Sequence, residues 1–152
     1  MLINLSAILV PVDFSSGSQF FVEYATAMAR TFHATVTLMH VCHNVDSMNG
    51  IVPGADKAAD DKEDLAIARK ALDDLRAATL KPMNTPMSVL VVHGSPADKI
   101  NSTARAFQMI VMGTHGRTGL RRFLMGTVAE AVVRRAPCPV LTIHFPSPDG
   151  IR

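Results

Sequence analysis

Residues 5–12 read LSAILVPV, a nearly continuous apolar run closed by Asp13. A strand with one face in water alternates apolar and polar residues, whereas a strand covered on both faces has no need to. Double coverage is the habit of parallel sheets in α/β proteins, so this run calls for a sheet with helices on two sides. The rest of the chain agrees. Ser15, Ser16, Gly17 and Ser18 form a cluster able to cap a helix, and Phe21, Ala25, Met28 and Phe32 follow at helical spacing. ATVTLMHVC at 34–42 has the β-branched and apolar content of a second strand.

The stretch 43–59, with Gly50, Pro53, Gly54 and no period, reads as a loop long enough to lie over a site. Asp60, Asp61, Glu63 and Asp64 then fall in the first turns of a long helix, where carboxylates complement the dipole. Leu65, Ala68, Leu72 and Leu75 are its apolar stripe, and it ends before Pro82. MSVLVVHG at 87–94 is a third strand. Ser95 and Pro96, followed by Asp98, make a good helix start, with Ile100, Ala104 and Phe107 on the inner face. FQMIVMG at 107–113 and CPVLTIH at 138–144 complete five strands, separated by a glycine-bearing loop and a helix from about Thr127 to Arg135. Strands that alternate with helices in this way predict a single open five-stranded parallel sheet with helices on both faces.

At 152 residues and 48% apolar content the chain suits one domain with a sizeable core, expected over 1–146 with a short tail at 147–152. Fifteen basic against thirteen acidic side chains produce no field that argues for nucleic acid or membrane partners. Cys42 and Cys138 make no disulfide framework and sit in no zinc-ligand spacing, so a reducing, cytoplasmic setting is expected. The first residues lack a positive n-region and read as a buried strand rather than a signal peptide, and no apolar stretch approaches the ~20 residues of a membrane span.

Ligands of open α/β sheets bind beyond the carboxyl ends of the strands, where strand order reverses. The informative segment there is GTHGRTGLRRFLMGTVAEAVVRR, from Gly113 to Arg135. Gly113, Gly116, Gly119 and Gly126 let the backbone turn closely and present N–H groups, and Gly126-Thr127 opens a helix whose first amides suit phosphate. No acidic residue stands between Asp98 and Glu130, whereas Lys99, Arg105, Arg117, Arg121 and Arg122 are basic. Positive charge therefore gathers near the anion-binding loop.

The spacing Gly113-x-x-Gly116, nine residues, then Gly126-Thr127 resembles the nucleotide-binding motif of the universal stress protein family. ILVPVDFS at 8–15, HV at 40–41, HGSPAD at 93–98, IVMGTHGRTGL at 110–120 and APCPVLTI at 136–143 resemble that family's segments in the right order. The resemblance implies a Rossmann-like sheet of the adenine nucleotide alpha hydrolase-like kind, with strand order 3-2-1-4-5 and ATP as ligand. Asp13 would then accept hydrogen bonds from ribose hydroxyls. Pro11, Val12, Val41 and Met112 would line an adenine slot, the backbone of Val41 reading the base edge. Gly113, Gly116, Gly126, Thr127 and Val128 would cradle the phosphates, with the Thr127 hydroxyl on a phosphate or a bound magnesium, and His115 and Arg117 would approach them. A homodimer through the edge strand at 139–144 is implied as well.

Plainer readings compete with these. Asp13 also suits the N-cap of the first helix, and Arg121 and Arg122 equally suit a solvated face. His40, His43, His93 and His115 gather near strand ends, yet no close-spaced ligand motif supports a metal among them. Three function classes stay open. The first is a nucleotide-dependent switch or sensor with little turnover, whose surface a protein partner reads. The second is a slow ATP hydrolase, poorly supported because no G-x-x-x-x-G-K-[ST] segment is present. The third is a chaperone-like or adaptor dimer for which nucleotide is incidental.

Overall fold

In a computed structural model, which describes residues 4–43, 57–80, 85–114 and 125–144, the apolar run becomes the middle strand of the sheet. This strand, β1 (Ala7–Pro11), is followed by α1 (Ser18–Phe32), β2 (Thr35–Cys42), α2 (Lys57–Leu80), β3 (Met87–His93) and α3 (Pro96–Thr103). A short 3-10 turn at Ala104–Ala106 leads to β4 (Met109–Gly113), then α4 (Thr127–Arg135) and β5 (Val140–Ile143). The five strands lie in the order β3-β2-β1-β4-β5 and every neighbouring pair is parallel. Order and class are those expected from the sequence.

The absence of alternation in the first strand has the physical cause inferred for it. Ile8, Leu9 and Val10 are all fully buried, although successive side chains point to opposite faces. Ile8 and Val10 join Val36, Leu38, Phe21 and Leu72 in a core under α1 and α2. Leu9 joins Met39, Ile100, Ile110, Met112 and Val132 in a second core under α3 and α4. Each face thus supplies its own apolar contacts, and burial of one such side chain contributes about 1.5–3 kcal/mol.

Several boundaries move. The N-cap of α1 is Gly17, with no side-chain hydrogen bond, so none of the neighbouring serines caps the helix. Phe107 does not lie on the inner face of α3, because the helix gives way to the 3-10 turn and Phe107 is extended (φ −123°, ψ 156°) before the strand. It still packs against the second core. Ser95 and Pro96 occupy the N-cap and first helical positions as expected. Ala68 and Leu72 of the α2 stripe are buried, with Leu75 packed on the same core. Residues 44–56, most of the expected loop, lie outside the described residues.

Gly94 links β3 to α3 at φ 140°, a region that L side chains rarely adopt, while its N–H donates to the Cys42 carbonyl at 3.0 Å. The side chain of Lys99 lies over it. No described helix is long and apolar enough to cross a membrane.

Candidate functional site

From the central β1 the chain reaches β2 on one side, while α3 carries it back to β4 on the other. The loops therefore part above the carboxyl ends of β1 and β4, where α/β sheets open a crevice. A cavity of about 590 Å3 lies there. Pro11, Val12, Asp13, Val41, Met112, Gly113, Gly126, Thr127 and Val128, all expected at a site from the sequence, are among its lining residues. His115, Gly116 and Arg117 lie outside the described residues, as do Arg121 and Arg122. Lys99 and Arg105 are exposed and do not line the cavity.

The lining also includes Phe21, Met39, His40, His43, Pro96, Ile100, Thr114 and Ala129. Pro96 and Ile100 were legible as a helix start and an inner face. That their helix crosses over the crevice depends on the path between β3 and β4, which no local pattern encodes.

Asp13 does not cap α1, whose N-cap is Gly17. Its Oδ1 accepts the Ser15 N–H at 3.0 Å, an Asx turn that fixes the carboxylate at the cavity wall. Phe14 follows in the left-handed region (φ 59°), with its ring centroid 4.6 Å from that of His40. His40 Nδ1 lies 2.7 Å from the Val12 carbonyl. A carbonyl only accepts, so this nitrogen carries the proton.

The opposite end of the cavity is the start of α4. Gly126 is its N-cap in extended backbone (φ −60°, ψ 152°), with no side-chain cap. The Gly126 N–H donates to the Thr114 carbonyl at 2.7 Å, and Thr114 N–H donates to Ile143 at 3.0 Å. The Gly126 N–H is therefore already engaged, although the residue lines the cavity. Among the described residues no side chain caps the first amides of α4, at Thr127 and Val128, the arrangement that favours an anion.

The described histidines His40, His43 and His93 each pair with a different backbone carbonyl. His43 Nδ1 is 3.4 Å from the Gly94 carbonyl and His93 Nε2 is 3.0 Å from the Asp61 carbonyl, so each ring meets a different stretch of backbone. Among the described residues no group of three or more His, Cys, Asp or Glu is placed to hold a metal. Burial pushes the Cys42 thiol up, aided by the Asp64 charge, and burial pushes Cys138 up as well. Both behave as protonated small hydrophobes.

An open parallel sheet with a cavity at its reversal point and an uncapped helix start facing it defines a Rossmann-like α/β domain. Residues 5–144 match the model of the universal stress protein family, and the chain belongs to that family. It is 32% identical over 147 residues to a universal stress protein of Methanocaldococcus jannaschii, covering 93% of this chain and 84% of that one. Among solved structures, the universal stress protein UspA from Lactobacillus plantarum superposes with a TM-score of 0.75 at 27% identity, over 92% of this chain and 98% of that one. A universal stress protein from Archaeoglobus fulgidus, solved in complex with dAMP, shares the fold at a TM-score of 0.57 and 21% identity, over 93% of this chain and 99% of that one.

Proposed function

We propose that the chain binds an adenine nucleotide, ATP in the first instance, in the cavity over β1 and β4, and that it acts as a nucleotide-dependent switch with little turnover. The observation that carries this reading is the distribution of chemistry around one space. Apolar Pro11, Val12, Val41 and Met112 suit a base, the Asp13 carboxylate suits a ribose, and the uncapped start of α4 suits phosphate. The volume of about 590 Å3 is within the range of small-molecule sites. A related fold that holds dAMP supports the adenine class.

The Thr127 hydroxyl is the group that would meet a phosphate or its magnesium, and a bound magnesium would supply charge neutralisation there. The described polar side chains of the lining are Asp13, His40, His43, Thr114 and Thr127, with no lysine and no second carboxylate. With no G-x-x-x-x-G-K-[ST] segment in the sequence, the switch reading is placed ahead of a slow ATP hydrolase. The effect of ATP would be to alter a surface read by a protein partner.

Titration of nucleotide-stripped protein with ATP and with a nonhydrolysable analogue is expected to show saturable binding of both. Binding of neither removes the switch model. A homodimer through β5 belongs to the same proposal, supported by the position of this half-buried strand at the sheet edge. Sedimentation is expected to give twice the chain mass, and a monomer at all concentrations would remove that claim. Two free, protonated thiols suit a reducing cytoplasm.

A further inference from the structure

In a parallel ladder, alternate residues of a strand direct N–H and C=O to opposite neighbours. In β2, Thr35 and Met39 bond to the β1 side, through Thr35 N–H to Ser6 and Val12 N–H to Met39. Val36 and Cys42 bond to the β3 side, through Val36 N–H to Pro86 and Gly94 N–H to Cys42. Val41 therefore directs its N–H and C=O toward β1. The last β1–β2 pair is Pro11 with Met39, so Val41 stands two residues beyond it, at the next position that faces β1. Continuing the ladder would require the Val41 N–H to donate to the Val12 carbonyl. His40 Nδ1 takes that carbonyl instead, at 2.7 Å, and the His40 ring lies against Phe14, whose left-handed backbone turns the chain away.

We infer that His40 is a positioning residue: its ring N–H holds the Val12 carbonyl out of the ladder and so keeps the backbone edge of Val41 open toward the cavity. The inference rests on the proposed nucleotide site for its purpose, which is to leave one donor and one acceptor for a planar base edge. A base that presents the matching acceptor and amine, such as adenine, is favoured there over guanine, whose edge presents the reverse pair. His40 acts through Val41 and the 12–14 turn, and its imidazole need not touch the ligand.

Two variants and two readouts test this. His40→Leu keeps bulk and loses the donor, whereas His40→Asn places an amide N–H where Nδ1 stood. In ligand-free protein the Val41 amide of His40→Leu is expected to exchange with solvent at least tenfold more slowly than in the parent, because it now pairs with Val12, and His40→Asn is expected to restore the parent rate. Unchanged exchange in His40→Leu, or slowing that His40→Asn fails to reverse, overturns the inference. In parallel, the parent's preference for ATP over GTP is expected to fall toward unity in His40→Leu and to return in His40→Asn. A preference that survives in His40→Leu overturns the base-edge role. If the parent binds no nucleotide while the exchange shift occurs, the latch stands and only the nucleotide reading is lost.

Discussion

Gly126→Val is expected to abolish ATP binding, with at least a hundredfold loss of affinity and a chain that stays folded. The substitution is compatible with the backbone, since φ −60° and ψ 152° are open to any L residue. The N–H of residue 126 keeps its bond to the Thr114 carbonyl, and its carbonyl still accepts the Glu130 N–H at 2.9 Å. Valine is a poor N-cap, which costs about 1 kcal/mol of helix stability. Gly126 lines the cavity at the start of α4, where phosphate is proposed to lie, and a branched side chain there is expected to compete with it. A hundredfold loss corresponds to about 2.7 kcal/mol. Calorimetric titration and a thermal melt on the same sample separate the two effects. Normal binding in a folded variant would falsify the phosphate cradle at the start of α4.

Leu9→Ala is the substitution expected to cost most stability, about 2–5 kcal/mol. Leu9 is fully buried in the central strand and packs in the core under α3 and α4. Its neighbours there include Met39, Ile100 and Met112, which also line the cavity, so the residual void opens just beneath the proposed ligand. A loss of this size is a large share of the ~5–15 kcal/mol by which domains are stable. Urea unfolding is expected to show a lower midpoint at an unchanged slope. A change below about 1 kcal/mol would mean that the site repacks around the missing atoms and that the two-faced burial of β1 is not what holds the sheet together.

The contrast between β1 and Phe107 shows which kinds of structure were legible. The run from Ala7 to Val12 names its own environment, because only coverage on both faces makes successive positions apolar. Phe107 carried an equally apolar signal, yet helix and strand both accept a phenylalanine, and the 3-10 turn at Ala104–Ala106 decided between them. Asp13 is a similar case. Its short carboxylate suits a helix cap or an Asx turn, and the distance from Asp13 to the N-cap at Gly17 settled the matter. The serines nearby were reasonable caps by type, and the glycine took the position.

Nine of the expected site residues line one cavity because each marks the carboxyl end of a strand or the start of α4, and those positions are readable from where apolar runs stop. The sequence marked His40 as part of an HV pair near a strand end, but not what its ring would hold. Its bond to the Val12 carbonyl crosses between two strands separated by a helix, so nothing within reach in sequence announces it. The same holds for Pro96 and Ile100, which reach the cavity because α3 crosses the sheet.

Local periodicity and punctuation were enough to define the elements, their parallel arrangement and the strand ends that line the cavity, since these follow from which residues must leave water and which must turn. Strand order was available beforehand only through the family resemblance, whereas the closing of the crevice by α3 and the pairing of His40 with Val12 required the folded chain, because they depend on contacts between segments whose sequences carry no record of one another.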